Sequence, residues 1–221
     1  TLYNVTTKAS ETSDSDKSKI TWYSWVVLGL LVMLRVAMNW QRKSLSYIYG
    51  FQGSGLKMGD PVFEILQSYP QMDQYYGILS GAAYTLPFSF GGIALGLMKT
   101  GYNRKTMLAG VVALGSLSQV LTGLVDSFPL LCLMRSIHGF CFSMTIPLLA
   151  TMVRDYFPKQ RRGTANSILY SANYFGTALS SMGIILISAA GWRQTYLVMG
   201  LVGIAFAGLT NFVAKDRKME Q

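Results

Sequence analysis

Besides Lys43, four arginine and histidine side chains stand inside long apolar stretches of this chain. Arg35 and Arg42 lie in residues 22–50. Arg135 and His138 lie in residues 127–153, where Arg135 is the only charged member. No Asp or Glu shares those stretches; Asp73, Asp126 and Asp155 all fall at the ends of apolar runs. Cations without a carboxylate favour an anionic ligand, which a guanidinium holds through paired N–H donors. Arg42 and Arg135 are the candidates to bind it. For Arg135, a packing role through backbone carbonyls stands beside that reading. Arg35 faces either a cavity or an acidic residue of another chain. His138 is the one side chain of the four that titrates near neutral pH, so proton coupling would need it or a carboxylate from elsewhere. No nucleophile–base pair, metal-ligand cluster or phosphate-binding loop is present, so no enzyme activity, metal or cofactor is expected. Cys132 and Cys141 are nine residues apart on one stretch and read as packing thiols.

The elements that must position these groups are membrane helices. Apolar residues make up 51% of the chain and charged ones only 13%. Residues 74–98, 106–125, 163–192 and 194–214 contain no charged residue at all. A stretch of about 20 residues rising 1.5 Å each crosses a bilayer core of about 30 Å. Six spans follow, at about 22–50, 74–98, 105–125, 128–155, 164–190 and 194–214. They lack the regular polar stripe of water-soluble helices. The expected class is an all-α integral membrane protein in a lipid bilayer.

Charge then gives orientation. Of 19 Lys and Arg, thirteen fall in tails and loops on one side, only Lys57 and Arg193 on the other, and four within spans. Basic loops stay inside, so both termini are expected on the inner side. The net charge of +9 thus reports topology and calls for no nucleic acid. Asn4-Val-Thr6, on that inner side, is not expected to be glycosylated.

Residues 1–19 read as a flexible polar tail whose acidic residues argue against a mitochondrial presequence, and 215–221 as a second inner tail. Residues 51–72 form an outer loop. Within it Asp60-Pro61 reads as N-cap and first helical residue. Val62, Ile65, Leu66 and Tyr69 then make a short amphipathic helix, stopped before Pro70. It lies on the membrane surface, covers an outer mouth, or packs as an ordinary loop.

Four ordered signals carry a family resemblance over residues 22–214. Gly96-Leu-Met-Lys-Thr100-Gly-Tyr-Asn-Arg104-Lys105, between the second and third spans, resembles the signature loop of the major facilitator superfamily, Gly-x-x-x-Asp-Arg/Lys-x-Gly-Arg/Lys-Arg/Lys. Gly96, Arg104 and Lys105 match, and Thr100 replaces the aspartate. Arg135-Ser-Ile-His138-Gly139 with Pro147 resembles the family's fourth helix. Arg154-Asp-Tyr-Phe-Pro158-Lys-Gln-Arg161-Arg162-Gly163-Thr-Ala165 resembles its following inner loop, and Gly191-Trp192-Arg193 its Gly-Trp-Arg turn. Gln41-Arg42 with Leu45-Ser46 is similar to the Asp-Arg…Leu-Ser first helix of spinster-like and organic-anion-transporting branches, Gln41 replacing the acid.

The resemblance implies six helices as 3+3 inverted repeats, half of a major facilitator fold. It implies that the first and fourth helices line a central cavity. Arg42 would then lie about 12 Å and Arg135 roughly 10 Å below the outer ends of their helices, at similar depth. His138 stands where relatives often carry Gln, which favours hydrogen bonding over a proton relay. The implied substrate contacts are Arg42, Arg135, His138, Gln41 and Arg35, with Gly96, Thr100, Arg104 and Lys105 in the gating loop. Asn166, Tyr170, Asn173 and Tyr174 of the fifth span are further polar candidates, although Gly176-x-x-x-Ser180 there suggests a packing face. The family works with twelve helices, and residues 215–221 correspond to its central inner loop. The expectation is the N-terminal half of a secondary transporter moving a small anionic or amphipathic solute by alternating access. Its second six-helix half would come from the same longer chain, a second copy or a partner chain. The alternative is a half-transporter retained as a structural subunit of a larger membrane complex, as loss of the acids at Gln41 and Thr100 suggests.

Overall fold

The computed structural model describes residues 22–50, 60–97 and 103–215. Six helices are long and apolar enough to cross a membrane, and the described residues contain no strand. They are α1 (Trp22–Gly50), α2 (Met72–Leu97), α3 (Arg104–Leu124), α4 (Phe128–Tyr156), α5 (Arg162–Ala190) and α6 (Trp192–Val213). The chain is a multi-pass integral membrane protein. α1 begins and α6 ends at one face of the bundle, here the tail face. Residues 60–71 lie at the other, the loop face.

The first helix shows how sequence sets packing. Val27, Leu31, Leu34, Met38, Gln41, Leu45 and Ile48 are all buried on it. Their alternating steps of three and four residues make one continuous stripe. Arg35 and Arg42, one residue further on from Leu34 and Gln41, fall on the neighbouring stripe.

The most extensive contacts pair α3 with α6, α1 with α5, α2 with α4 and α3 with α4, followed by α1 with α6. Exchanging the first three helices for the last three maps this set onto itself. Pair α1·α5 becomes α4·α2, α3·α6 returns to itself, and α3·α4 becomes α6·α1. A repeated unit with an odd number of helices re-enters the membrane from the opposite face, so the bundle is two inverted three-helix repeats. Close backbone approach holds α2 to α4: a Cβ at Gly139 would sit 2.5 Å from the Tyr84 carbonyl.

α2 is not a uniform helix. A π-helical turn occupies Ile78–Ala82, and Pro87 stands inside the following segment. Pro87 has no N–H to offer the Ala83 carbonyl four residues back. The Ser136 hydroxyl of α4 donates to that carbonyl at 2.7 Å, replacing the missing donor. On the far side of α2, Leu86, Phe90, Ile93 and Leu97 are exposed, as are Tyr174, Phe175 and Ile185 of α5. Apolar helix surface of this kind is solvated by lipid or by further helices.

The loop face is fastened by Trp192. Its amide and indole nitrogens donate to the carbonyls of Val62 and Pro61, each at 3.1 Å. Gly191 makes the turn possible with a left-handed φ of 86°, and its bare Cα faces the Val62 carbonyl. The Tyr69 hydroxyl donates to the Val125 carbonyl, and Arg193 pairs with Asp126 at 2.6 Å. Burial raises the Tyr69 phenol above its ordinary pKa, against the opposing pull of Arg193.

This fastening changes the helix expected from Asp60 to Tyr69. Asp60 caps only a turn, accepting from the Val62 amide at 2.9 Å. Helix is confined to Ile65–Ser68, because the Pro61 and Val62 carbonyls serve Trp192 rather than the next helical turn. Residues 1–19, 51–59 and 216–221, the tails and the glycine-rich part of the loop, lie outside the described residues.

Candidate binding site

The candidate site is a ladder of three arginines threaded through aromatic rings. Arg35 and Arg42 come from α1, seven residues and so two turns apart on one face. Arg135 comes from α4. The Arg35 and Arg42 guanidinium carbons lie 5.2 Å and 5.3 Å from the centroid of the same Phe142 ring. Those of Arg42 and Arg135 lie 5.6 Å and 4.8 Å from the Tyr84 ring, and Phe88 also faces Arg42, at 6.0 Å. Arg42 therefore shares one ring with each neighbour. Ring faces stabilise cations electrostatically, more so when water is excluded.

Each guanidinium is differently held. Arg135 donates from Nη2 to the main-chain carbonyl of Arg42 at 2.8 Å, and its Nε and Nη1 are buried without a partner among the described residues. Arg35 is 5% exposed. Its Nε donates to Asn173 Oδ1 of α5 at 2.9 Å, an oxygen that also accepts from Asn39 at 2.8 Å, while Nη1 is buried and unpartnered among the described residues. Arg42 is half-buried. None of the three has a carboxylate partner among the described residues; the ion pairs found there are Arg104–Asp155 and Arg193–Asp126. Sharing a ring caps each neighbouring pair at about 10.5 Å. Like charges at such a distance repel by about 1.5–2 kcal/mol at an effective dielectric of 20. An anion placed along the ladder would relieve that repulsion.

Other expected site residues lie elsewhere. Gln41 is fully buried and turned away from the ladder: Nε2 donates to the Met199 carbonyl of α6 at 2.8 Å and to Ser116 Oγ of α3 at 3.2 Å. Gln41 is thus a packing residue at the α1–α3–α6 junction and not part of the arginine cluster. Neighbours on a helix diverge by about 100°, and here that turn sends Gln41 to α3 and α6 and Arg42 to the rings of α2 and α4. His138 is buried between Tyr84 and Phe142, at ring distances of 6.0 Å and 6.4 Å. Neither of its nitrogens has a hydrogen-bond partner among the described residues.

Beside Arg135, a small cavity is lined by Gln119, Thr122 and Tyr196 along with Leu45, Leu79 and Leu131. Of the α5 candidates, Asn173 joins Arg35. Tyr170 and Tyr174 are exposed, and Asn166 Oδ1 is buried without a partner among the described residues. Tyr84, Phe88 and Phe142 complete the site, although they are not among the residues expected from the sequence. Their signal was spacing: Tyr84 and Phe88 are four apart on α2, and Arg135, His138 and Phe142 run down one stripe of α4.

In the expected gating loop, Gly96 is exposed at the end of α2, Lys105 is half-buried, and Thr100 lies outside the described residues. Arg104 is committed: its Nη1 meets both oxygens of Asp155, each at 2.7 Å. This ties the start of α3 to the end of α4 at the tail face. There, too, the Tyr23 hydroxyl donates to the Val213 carbonyl at 2.6 Å.

The profile of the Major Facilitator Superfamily matches residues 45–220. The probable galactarate/D-glucarate transporter GarP of Escherichia coli is 38% identical over 101 residues, 42% of this chain and 23% of that protein. The benzoate transport protein of Acinetobacter baylyi is 24% identical over 187 residues, 84% of this chain and 38% of that protein. A solved structure of a bacterial homolog to the human lysosomal transporter Spinster, inward-facing and unoccupied, has a TM-score of 0.76 at 19% identity, covering 91% of this chain and 45% of that one. The chain thus spans less than half the length of the relatives it matches. With the profile running from the last turns of α1 past the end of α6, over a bundle of two inverted three-helix repeats, the chain belongs to the Major Facilitator Superfamily.

Proposed function

We propose that this chain forms the arginine-bearing half of a secondary transporter that moves a small organic anion by alternating access. The observation that carries this reading is the ladder itself: three guanidiniums on shared rings, with no carboxylate partner among the described residues. Two relatives bear the names of organic acids, galactarate/D-glucarate and benzoate, in keeping with an anionic solute. Arg42 and Arg135 hold the anion. Tyr84 and Phe142 wall it off from lipid, and His138 lends its ring to that wall.

A second six-helix half, in a longer chain, a second copy or a partner chain, completes the cavity. The count of thirteen loop cations against two supports placing both termini, and so the tail face, on the inner side. Uptake into proteoliposomes tests the proposal. Arg42→Gln should lose anion uptake while remaining folded, and wild-type uptake in that variant would refute the site.

A second reading has one observation in its favour. Arg135 spends a donor on the Arg42 carbonyl, as a residue that only organises packing would. On that reading the chain is a structural subunit of a larger membrane complex. Its deletion would disturb the complex, and uptake would be absent from the unaltered protein.

A further inference from the structure

The ladder is longer than one anionic group requires. A single carboxylate is answered by Arg42 and Arg135, which share the Tyr84 ring. Arg35 remains, two turns along α1, with its guanidinium over Phe142 and its Nη1 buried and unpartnered among the described residues. Asn173 takes only Nε, which fixes the plane of the guanidinium and leaves the fork beyond it unused. Burying a cation in this way is costly unless it is paired.

We propose that the substrate is a two-ended dianion and that Arg35 is the residue that selects it, by pairing with the second anionic group. This deepens the reading of the chain as an anion carrier and rests on it. The shared Phe142 ring caps the Arg35–Arg42 separation at about 10.5 Å. A short linear dicarboxylate lying alongside Phe142 can then give one carboxylate to each guanidinium. Phe142 packs against the methylene or hydroxymethylene middle. Asn173 and Asn39 position Arg35 from the far side. A monoanion of the same length satisfies Arg42 and Arg135 but leaves Arg35 unpaired, and selectivity arises from that difference.

The test measures binding to the protein in detergent and in proteoliposomes, with dicarboxylates of four to six carbons set against monocarboxylates of equal length. In the unaltered protein at least one dicarboxylate should bind tenfold or more tightly than its monocarboxylate counterpart. Arg35→Gln should shrink that advantage below about threefold, and Arg35→Lys should keep part of it. Thermal denaturation in mild detergent near that of the unaltered protein shows that each variant is folded. Monocarboxylates binding as well as dicarboxylates to the unaltered protein would overturn the proposal while leaving the anion carrier standing. Equal loss of both classes in both variants would make Arg35 a structural residue and overturn it too. Binding of neither class by the unaltered protein would remove the anion-carrier reading, and this proposal with it.

Discussion

Arg135 donates through Nη2 to the main-chain carbonyl of Arg42 at 2.8 Å, so one rung of the ladder is pinned by the backbone that carries the next. The bond survives any change of the Arg42 side chain and is lost with that of Arg135. The two arginines should therefore separate in a stability measurement. Arg135→Gln removes this charge-assisted bond and the ring contact with Tyr84 at a buried site, and should cost about 1–3 kcal/mol. Arg42→Gln, at a half-buried position, should stay within about 0.5 kcal/mol of the unaltered protein. Thermal denaturation in mild detergent reads both, and equal destabilisation would show that the carbonyl bond is not what fixes Arg135.

The α2 irregularity makes a second prediction, in the form of a cycle. Ser136→Ala should destabilise by about 1–3 kcal/mol, because Pro87 has already denied the Ala83 carbonyl its helical donor. Pro87→Ala restores an N–H four residues on. In that background Ser136→Ala should cost clearly less than it does alone. Strictly additive changes would mean that Ser136 answers some need other than the open carbonyl.

Two glycines test the close approach of α2 and α4. An alanine methyl at Gly139 would meet the Tyr84 carbonyl at 2.5 Å, whereas at Gly110 it would meet nothing within 4 Å. Gly139→Ala should cost about 1–3 kcal/mol, since backbone must shift to admit it. Gly110→Ala should be neutral or slightly stabilising, as alanine is the better helix former. The shift at Gly139 moves Tyr84, so the same variant should weaken anion binding; Gly110→Ala should not.

How much of this was legible before the structure depends on the kind of signal. Apolar runs set the six helices, because a bilayer demands length and leaves little room for charge. The arginines were legible because a cation inside such a run is costly enough to need a reason. Their convergence rested on resemblance, since no spacing within α1 says what α4 brings opposite. Gln41 was misplaced although its stripe was readable: it continues the steps of Val27, Leu31, Leu34 and Met38, and Arg42 does not. Tyr84 and Phe142 were passed over because an aromatic in an apolar run looks like core until a cation is seen on its face. The loop helix was overextended for a different reason. Asp60-Pro61 is a good helix start locally, but Trp192, more than a hundred residues away, claims the carbonyls that a helix would need.

That long-range claim gives the last prediction. Tyr69 and Trp192 fasten residues 60–71 across both turns of the loop face, through the Val125, Pro61 and Val62 carbonyls. Tyr69→Phe deletes one of these bonds and should cost about 0.5–1.5 kcal/mol. The effect should appear locally, as faster hydrogen exchange at the Trp192 amide that Val62 protects. It should also depend on pH in a defined direction. Burial lifts the folded-state value of Tyr69 above its ordinary 10.0, so folding favours the protonated phenol. Its contribution is complete below pH 10 and is lost as pH rises through the raised folded value. Trp192 amide protection, corrected for the intrinsic rate, should thus fall above pH 10 in the unaltered protein, and Tyr69→Phe should flatten that fall. A fall of the same size in the variant would assign the loosening to another group, and would leave Tyr69 as a packing residue against the Trp192 ring at 5.8 Å.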